Sequence, residues 1–200
     1  MPEPTTHPLL ARGQEALKTG QLPYAIECFT QVLGDQPGSL EARRGLRQAT
    51  RTQAEAQPSG GLTALTRKLG ALPHLLRAQL AAGRKDWTQA ASAYDAALRQ
   101  SPLEPAWLYR LGRTLLAQGQ EPAAIETLEE SVQLNPNFLP ASRQLAELYL
   151  KRGDDQHARA CFERILKAVP HDIQAERGLK NLDAMGTIRK SFGAPGDSPR

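Results

Sequence analysis

Three features of the sequence predict an all-α fold. Alanine and leucine, both strong helix formers, supply 58 of the 200 residues, whereas valine and isoleucine together supply only 8. Aromatic residues make up 5%, too few to pack the pleated faces of a sheet. Prolines recur 34 residues apart at Pro102, Pro136 and Pro170, each after a stretch with helical apolar periodicity. The chain is therefore predicted to be a short array of helical repeats.

Composition and length restrict the class of protein further. A hydrophobic share of 40% with 23% charged residues is typical of a soluble globular chain rather than a disordered one. The apolar runs are too short for a membrane-spanning helix, and the start MPEPTTHPLLARGQ lacks the basic and apolar parts of a secretory signal. We therefore expect a cytoplasmic protein in which Cys28 and Cys161 are reduced and buried.

The prolines define a 34-residue frame in which each takes position 32. The frame delimits the units 71–104, 105–138 and 139–172, and placing it on Pro37 delimits the unit 6–39. Position 20 is alanine in every unit, and position 24 is large. The residues at these two positions are Ala25, Ala90, Ala124 and Ala158, and Phe29, Tyr94, Leu128 and Phe162.

Each unit has the pattern of two amphipathic helices joined by a turn. In one unit, Leu108, Leu111 and Leu115 follow each other at helical spacing on one face of the first helix. Small residues let the two helices approach closely, and Gly119 and Gly153 suit the left-handed residue that ends the first helix. Because one hairpin cannot bury its apolar stripe alone, neighbouring units are expected to stack.

One internal segment breaks the frame. From Pro37 to Pro102 is 65 residues, three fewer than two units, so 40–70 is predicted to be a shortened or degenerate unit. We expect a helix over about 40–56, then a loop at 57–61 whose PSGG sequence makes it the hinge or boundary. A short helix should follow, with one face formed by Leu62, Leu65, Leu69 and Leu72.

The two ends of the chain also lie outside the frame. Residues 1–5 form a predicted N-terminal tail. Residues 173–185 have the spacing of a first helix without a second, as a capping helix would. Residues 186–200 are rich in glycine, proline and serine and are predicted to be a disordered tail.

The pattern of small and large positions resembles the tetratricopeptide repeat family, of a bacterial type. The segments PAWLYRLGRTLLAQGQEPAAIETLEESVQLNP and LPASRQLAELYLKRGDDQHARACFERILKAVP carry most of the family signature, and the resemblance covers about residues 6–185. Departures are the missing tryptophan at position 4, where Leu108, Ser142 and His74 stand, and Lys85 in place of the turn glycine. The resemblance implies a right-handed superhelical solenoid of antiparallel hairpins and a non-enzymatic adaptor that binds a protein or peptide segment.

In this family, positions 2, 5, 6, 9 and 12 of the first helix line a concave groove. Since arginine pairs with carboxylates through two parallel hydrogen bonds, the groove is expected to bind an acidic peptide or a chain terminus. The predicted groove residues are Tyr109, Arg110, Arg113, Arg143, Gln144, Glu147, Arg177 and Asn181, with Arg44 as a possible extension. The alternative is a solvated helical face, because arginine is abundant throughout the chain.

The carboxylate clamp through which related proteins bind chaperone C-termini is not predicted. That clamp uses lysine, asparagine and arginine at set positions. The comparable residues here are Tyr109, Arg113, Glu147, Gln174 and Gly178.

No catalytic, cofactor or metal site is predicted. The sequence has no glycine-rich phosphate loop. His157 and Cys161 are one helical turn apart, but zinc needs at least three protein ligands, so an exposed histidine beside a packed thiol is expected. An enzymatic role would require a separate catalytic subunit.

The net charge of +4 is confined to 40–70. Arg44, Arg47 and Arg51 form a basic stripe there, without the interleaved aromatic residues typical of nucleic-acid binding, so we expect a solvated face or a continuation of the groove. A second functional hypothesis is self-association, since the outer face of unit 6–39 has little ahead of it to cover it.

Overall fold

The computed structural model describes residues 7–56 and 60–192. Every helix or strand within these ranges is an α-helix, which confirms the predicted all-α class. The predicted tail 1–5 and most of the predicted loop 57–61 lie outside the described residues. The helices are α1 (Pro8–Lys18), α2 (Leu22–Asp35), α3 (Leu40–Ala56), α4 (Gly61–Gly83), α5 (Trp87–Gln100), α6 (Pro105–Ala117), α7 (Glu121–Leu134), α8 (Leu139–Arg152), α9 (Asp155–Ala168) and α10 (Ile173–Phe192).

The chain divides into two compact units, Met1–Thr127 and Leu128–Arg200. In the first unit, α1 packs on α2, α2 on α3, α4 on α5 and α5 on α6. In the second unit, α8 packs on α9 and α9 on α10. Antiparallel helices that are consecutive in sequence therefore supply the main contacts within each unit.

The turns between paired helices have the left-handed residue that the frame predicts. Gly20, Gly119 and Gly153 have φ between +72° and +76°, and Lys85, which takes the same position without being glycine, has φ +60°. The residue after each donates its N–H to a carbonyl five positions back, for example Gln120 to Leu115 at 2.9 Å. This hydrogen bond satisfies a carbonyl at the helix end that would otherwise have no donor.

Close approach of the helices depends on small residues opposite large ones. The position-20 alanines, among them Ala25 and Ala158, are fully buried. In the first unit the Phe29 ring lies against Gly13 and Gly45, and a β-carbon at Gly13 would lie 2.8 Å from the ring. In the second unit Phe162 packs on Gly178 in the same way.

Two long helices correct the sequence-based boundaries. Residues 61–83 form one continuous helix, although the sequence predicts a loop that includes Gly61 and a short helix separate from the first helix of unit 71–104. Ala71, Ala78 and Ala81 recur on one side of α4 and are buried, so a single uninterrupted helix keeps all three in contact with the interior.

The C-terminal helix is also longer than expected. Helix α10 continues to Phe192, so the boundary predicted between a capping helix at 173–185 and a disordered tail at 186–200 is wrong over 186–192. The segment up to Phe192 contains no proline, and the first proline is Pro195, so nothing in it stops the helix. Residues 193–200 lie outside the described residues.

Helix α3 is held by buried arginines. Arg43 is 4% exposed and forms an ion pair with Asp95 of α5, which is 6% exposed, and its Nη2 donates to the Pro37 carbonyl at 3.0 Å. Arg47 Nη2 donates to the Pro102 carbonyl at 2.9 Å. The expectation that Arg47 belongs to a solvated basic stripe is therefore wrong, because its guanidinium binds a carbonyl inside the first unit. No described helix is long and apolar enough to span a membrane.

Adding a methyl group at Gly45 should destabilise the first unit. A β-carbon there would overlap the Phe29 ring, which is fully buried and cannot move without disturbing the α1–α2–α3 core. We expect Gly45→Ala to lower the free energy of unfolding by about 1–3 kcal/mol in urea titrations followed by circular dichroism. Gly34→Ala is the matched control, since nothing lies within 4 Å of its β-carbon position. Equal effects of the two substitutions would contradict this account of the packing.

Replacing Lys85 by glycine should stabilise the turn between α4 and α5. A side chain at φ +60° is strained, and glycine adopts this conformation freely, although it loses more entropy on folding. We expect Lys85→Gly to raise the free energy of unfolding by about 0.5–1 kcal/mol. Lys85→Ala removes the charge but keeps the β-carbon, so it should bring no such gain. A gain with alanine as large as with glycine would attribute the effect to charge instead.

Breaking the Arg43–Asp95 pair should be costly. Asp95→Ala leaves a buried guanidinium without its carboxylate, and we expect a loss of about 3–5 kcal/mol in the free energy of unfolding. The double variant Arg43→Met with Asp95→Leu removes both charges and should recover most of that loss. If the double variant were as unstable as the single one, the penalty would not come from the unpaired charge.

Candidate functional site

The predicted groove residues lie on first helices of both units. Tyr109, Arg110 and Arg113 are on α6 in the first unit, with Arg44 on α3. In the second unit, α8 carries Arg143, Gln144 and Glu147, and α10 carries Arg177 and Asn181.

Helix α6 presents a cationic and aromatic surface on its outward side. Leu108, Leu111 and Leu115 are fully buried, which fixes the rotation of the helix. Three other residues define the α6 surface: Tyr109, which is half-buried, and Arg110 and Arg113, which are exposed. The Arg113 guanidinium carbon lies 5.8 Å from the centre of the Tyr109 ring, within cation–π range. One arginine is thus held over an aromatic ring while its neighbour extends into solvent.

Arg143 is bound to a carboxylate of its own chain. Its Nη2 donates to Asp172 Oδ2 at 2.6 Å and its Nη1 donates to Oδ1 at 3.2 Å. The hydrogen bond from Arg143, reinforced by the Ala175 N–H at 2.9 Å, holds the Asp172 pKa below its usual value. Asp172 therefore caps the start of α10 and links it to α8, and an acidic ligand would have to compete with it for Arg143.

Three of the remaining predicted residues of the second unit, Glu147, Arg177 and Asn181, are exposed, and Gln144 is half-buried. Arg177 and Asn181 are exposed and one turn apart on α10. Gln144 Nε2 donates to Glu147 Oε2 at 3.2 Å along α8. Within the described part of the chain, no hydrogen bond or ion pair joins Arg177 or Asn181 to Arg143, so the structure does not bring these predicted residues into one cluster.

Arg44, the proposed extension of the groove, is also paired. Its Nε donates to Glu126 Oε2 at 2.7 Å, and its Nη2 binds the other oxygen of the same carboxylate. The hydrogen bond to Glu126 raises the Arg44 pKa further above its already high value. Within the described ranges, the predicted arginines that are not held in an internal ion pair are therefore Arg110, Arg113 and Arg177.

A polar cluster that the sequence analysis missed lies in the second unit. Tyr149 donates its hydroxyl hydrogen to Glu129 and stacks on the His157 ring, with the ring centres 5.1 Å apart. The His157 Nδ1 lies 2.7 Å from Asp154 Oδ2. The sequence contains a signal for Asp154 and His157, which are three positions apart on one helix. It contains none for the contact between Tyr149 and Glu129, which are 20 positions apart.

This cluster offers no activated nucleophile. Burial, then the hydrogen bond to Glu129, raises the Tyr149 pKa, and burial raises the Cys161 pKa above its usual value, so both groups are protonated at neutral pH. Among the described residues, no group of three or more histidine, cysteine, aspartate or glutamate side chains could hold a metal ion. His157 is exposed and Cys161 is buried, as expected.

A pocket of about 470 Å³ opens in the first unit, among residues of α2, α3 and α5. Its two acids have structural roles: Asp86 accepts the Gln89 N–H at 3.0 Å as the N-cap of α5, and Asp95 binds Arg43. Both carboxylates are therefore engaged in holding α5, and the pocket presents no pair of groups arranged for catalysis.

Comparison with known proteins identifies the repeats. The tetratricopeptide repeat family matches residues 75–137 and, through a second family description of the same name, residues 115–182. The human protein O-mannosyl-transferase TMTC1 is 25% identical over 174 residues, which cover 84% of this chain and 20% of that protein. The peroxisomal targeting signal receptor of Pichia angusta is 40% identical over 106 residues, covering 52% of this chain and 18% of the receptor. The chain thus spans about a fifth of the length of these relatives.

Solved structures of low sequence identity share the fold. The tetratricopeptide repeat domain of Sgt2 from Aspergillus fumigatus has a TM-score of 0.53 at 20% identity, covering 66% of this chain and 88% of the domain. The first such domain of Spaghetti, bound to the HSP90 peptide SRMEEVD, has a TM-score of 0.53 at 15% identity, covering 60% of this chain and 95% of that one. With its 34-residue frame, its left-handed turn residues and these matches, the chain belongs to the tetratricopeptide repeat family.

Proposed function

We propose that the chain is a protein-interaction adaptor whose α6 surface binds an acidic peptide or protein segment. Repeats of this family are in general scaffolds for binding other proteins, without catalytic activity of their own. The observation that carries the acidic preference is the α6 surface, where two exposed arginines adjoin a half-buried tyrosine. Arginine and tyrosine are enriched at the energetic centres of protein interfaces.

The α6 surface is prepared for binding by its own geometry. The buried leucines of α6 fix the helix, and the Tyr109 ring restrains Arg113, so less side-chain entropy is lost when a carboxylate binds. Arg110 can supply a second pair of hydrogen-bond donors to an acidic ligand. Because both arginines are exposed, solvent screening limits each contact to about 0.2–1 kcal/mol, and binding requires several of them together.

In the second unit, we assign ligand binding to Arg177 and Asn181 in preference to Arg143. A guanidinium already bound to Asp172 gains little by exchanging one carboxylate for another, so Arg143 is better suited to positioning α10. Arg177 and Asn181 offer a cation and an amide one turn apart on an exposed face. Gln144 and Glu147 complete the proposed set on α8.

The comparisons support the class of ligand but not a particular one. The Spaghetti domain is described in complex with the peptide SRMEEVD, which carries three acidic side chains. The comparable clamp positions here hold Tyr109, Arg113, Glu147, Gln174 and Gly178, which differ from the clamp residues. We therefore propose a different acidic segment and do not extend the HSP90 peptide to this chain.

Charge reversal on α6 tests this proposal. The probe is a fluorescein-labelled 12-residue peptide rich in glutamate, with a matched peptide in which every glutamate is glutamine. We expect the acidic peptide to bind the wild type more tightly than the neutral one in fluorescence anisotropy. We also expect Arg110→Glu with Arg113→Glu to weaken that binding about tenfold or more, which corresponds to at least about 1.4 kcal/mol.

The control for this experiment reverses two arginines outside the proposed surface. Arg12→Glu with Arg84→Glu changes the net charge equally and alters exposed positions of the first unit. If this control weakened binding as much as the α6 variant, the attraction would be a general effect of net charge. If the two peptides bound equally well, the acidic preference would be wrong. Circular dichroism checks that each variant keeps its helical content.

A further inference from the structure

Helix α4 exposes a continuous row of large apolar side chains. Its leucine face consists of Leu62, Leu65, Leu69, Leu72, Leu76 and Leu80, which are between 53% and 76% exposed. Successive members are three or four residues apart, so they follow one side of the helix for about 27 Å. A row of this length exceeds the isolated exposed leucines that are ordinary on a protein surface.

Helix α4 buries its small apolar side chains and exposes its large ones, although burying the large ones would give more hydrophobic stabilisation. The buried side consists of alanines, Ala71, Ala78 and Ala81, whereas the leucines point to solvent. Burying a leucine side chain completely is worth about 1.5–3 kcal/mol, so six exposed leucines forgo a large hydrophobic stabilisation. The alanines are needed where they lie because this part of α4 packs against α5.

The shortened repeat accounts for this arrangement. Two complete units between Pro37 and Pro102 would require four helices, and the chain forms α3, α4 and α5 there. In a full repeat, a turn near residue 70 would fold Leu62, Leu65 and Leu69 back beside a neighbouring helix. Because α4 is continuous, these leucines instead line up with those that follow, and no described helix covers them.

The spacing of the leucines along α4 is nearly the same from the N-terminal end as from the C-terminal end. Spacings of three and four residues alternate over Leu62, Leu65, Leu69, Leu72 and Leu76, which is the pattern of a coiled-coil seam. If a second α4 is laid antiparallel on the first, Leu69 meets Leu72 of the second copy and Leu65 meets Leu76. Two-fold symmetry repeats both contacts, as in the isologous interfaces of most homodimers.

The charges on α4 favour this antiparallel pairing over a parallel one. The helix carries Arg67, Lys68 and Arg77 and no acidic residue. A parallel pair would place each cation level with its own copy, whereas an antiparallel pair separates identical cations by about 7 Å or more along the helix. The Lys68 Nζ is also 2.7 Å from Glu104 Oε1 of its own chain, which reduces its repulsion of a second copy.

We propose that the leucine face of α4 binds the same face of a second copy, forming an antiparallel two-fold homodimer. This interface differs from the outer face of the first hairpin, which the sequence suggested for self-association. It is independent of the α6 surface, since the two sets of residues do not overlap.

Sedimentation equilibrium over a range of concentrations tests the proposal. The wild type should pass from 21.8 kDa to twice that mass as concentration rises, and Leu69→Gln with Leu72→Gln should remain at 21.8 kDa. Leu103→Gln is the control, since Leu103 is 41% exposed but lies outside α4. A wild type that stays monomeric to about 100 μM, or a double variant that still dimerises, would overturn the proposal. So would a monomeric wild type whose leucine face binds lipid vesicles.

Disulfide crosslinking tests the orientation. An equimolar mixture of Leu65→Cys and Leu76→Cys chains should form mixed disulfide dimers under mild oxidation. Leu65→Cys alone should not crosslink, because antiparallel pairing separates its two cysteines by about 16 Å along the helix. Cys28 and Cys161 are buried and give little background. Efficient crosslinking of Leu65→Cys alone would show a parallel pair and contradict the proposed interface.

Discussion

The buried ion pair between Arg43 and Asp95 is the constraint on which the first unit depends. Helix α3 has no second helix of its own repeat. It packs against α1 and α2, but these contacts do not fix its position relative to α5. Arg43 makes that connection inside the protein, where both charges have lost their water and each must be neutralised by the other. The Arg47 bond to the Pro102 carbonyl adds a second polar connection. Polar contacts thus hold the protein together where the repeat is incomplete.

The parts of the fold predicted from sequence are those fixed by local chemistry. Gly119 and Gly153 could be placed because only a few residues adopt a left-handed conformation easily, and Ala25 and Ala158 because a larger side chain would separate paired helices. The continuity of α4 could not be read locally, since Gly70 and Pro73 are both helix-weakening residues. Packing of its alanines against α5 outweighs their effect, and such packing is visible only once the partner helix is known.

The candidate site shows the same division between local and distant information. The resemblance to the repeat family implied that Tyr109 and Arg113 both take groove positions of one helix, and the structure brings them within cation–π range. Sequence could not show that Arg143 binds Asp172, 29 positions away, or that Arg44 binds Glu126, 82 positions away. An arginine at a groove position can bind a ligand or can stabilise its own fold. Which of the two it does depends on whether the fold brings a carboxylate from a distant part of the sequence within hydrogen-bonding distance of it.

The shortened repeat also connects the two proposed binding surfaces. Loss of one helix brings α3 against α5 through buried polar contacts, and the same loss leaves the leucines of α4 without a neighbour. The apolar surface of these leucines, which a regular repeat would bury between its helices, is therefore exposed and can be buried against another molecule. On α6, by contrast, the repeat is regular: Leu108, Leu111 and Leu115 are buried, and Arg110 and Arg113 are exposed. The proposed apolar contact with a second copy therefore lies on the irregular repeat, and the proposed contact with an acidic segment lies on a regular one.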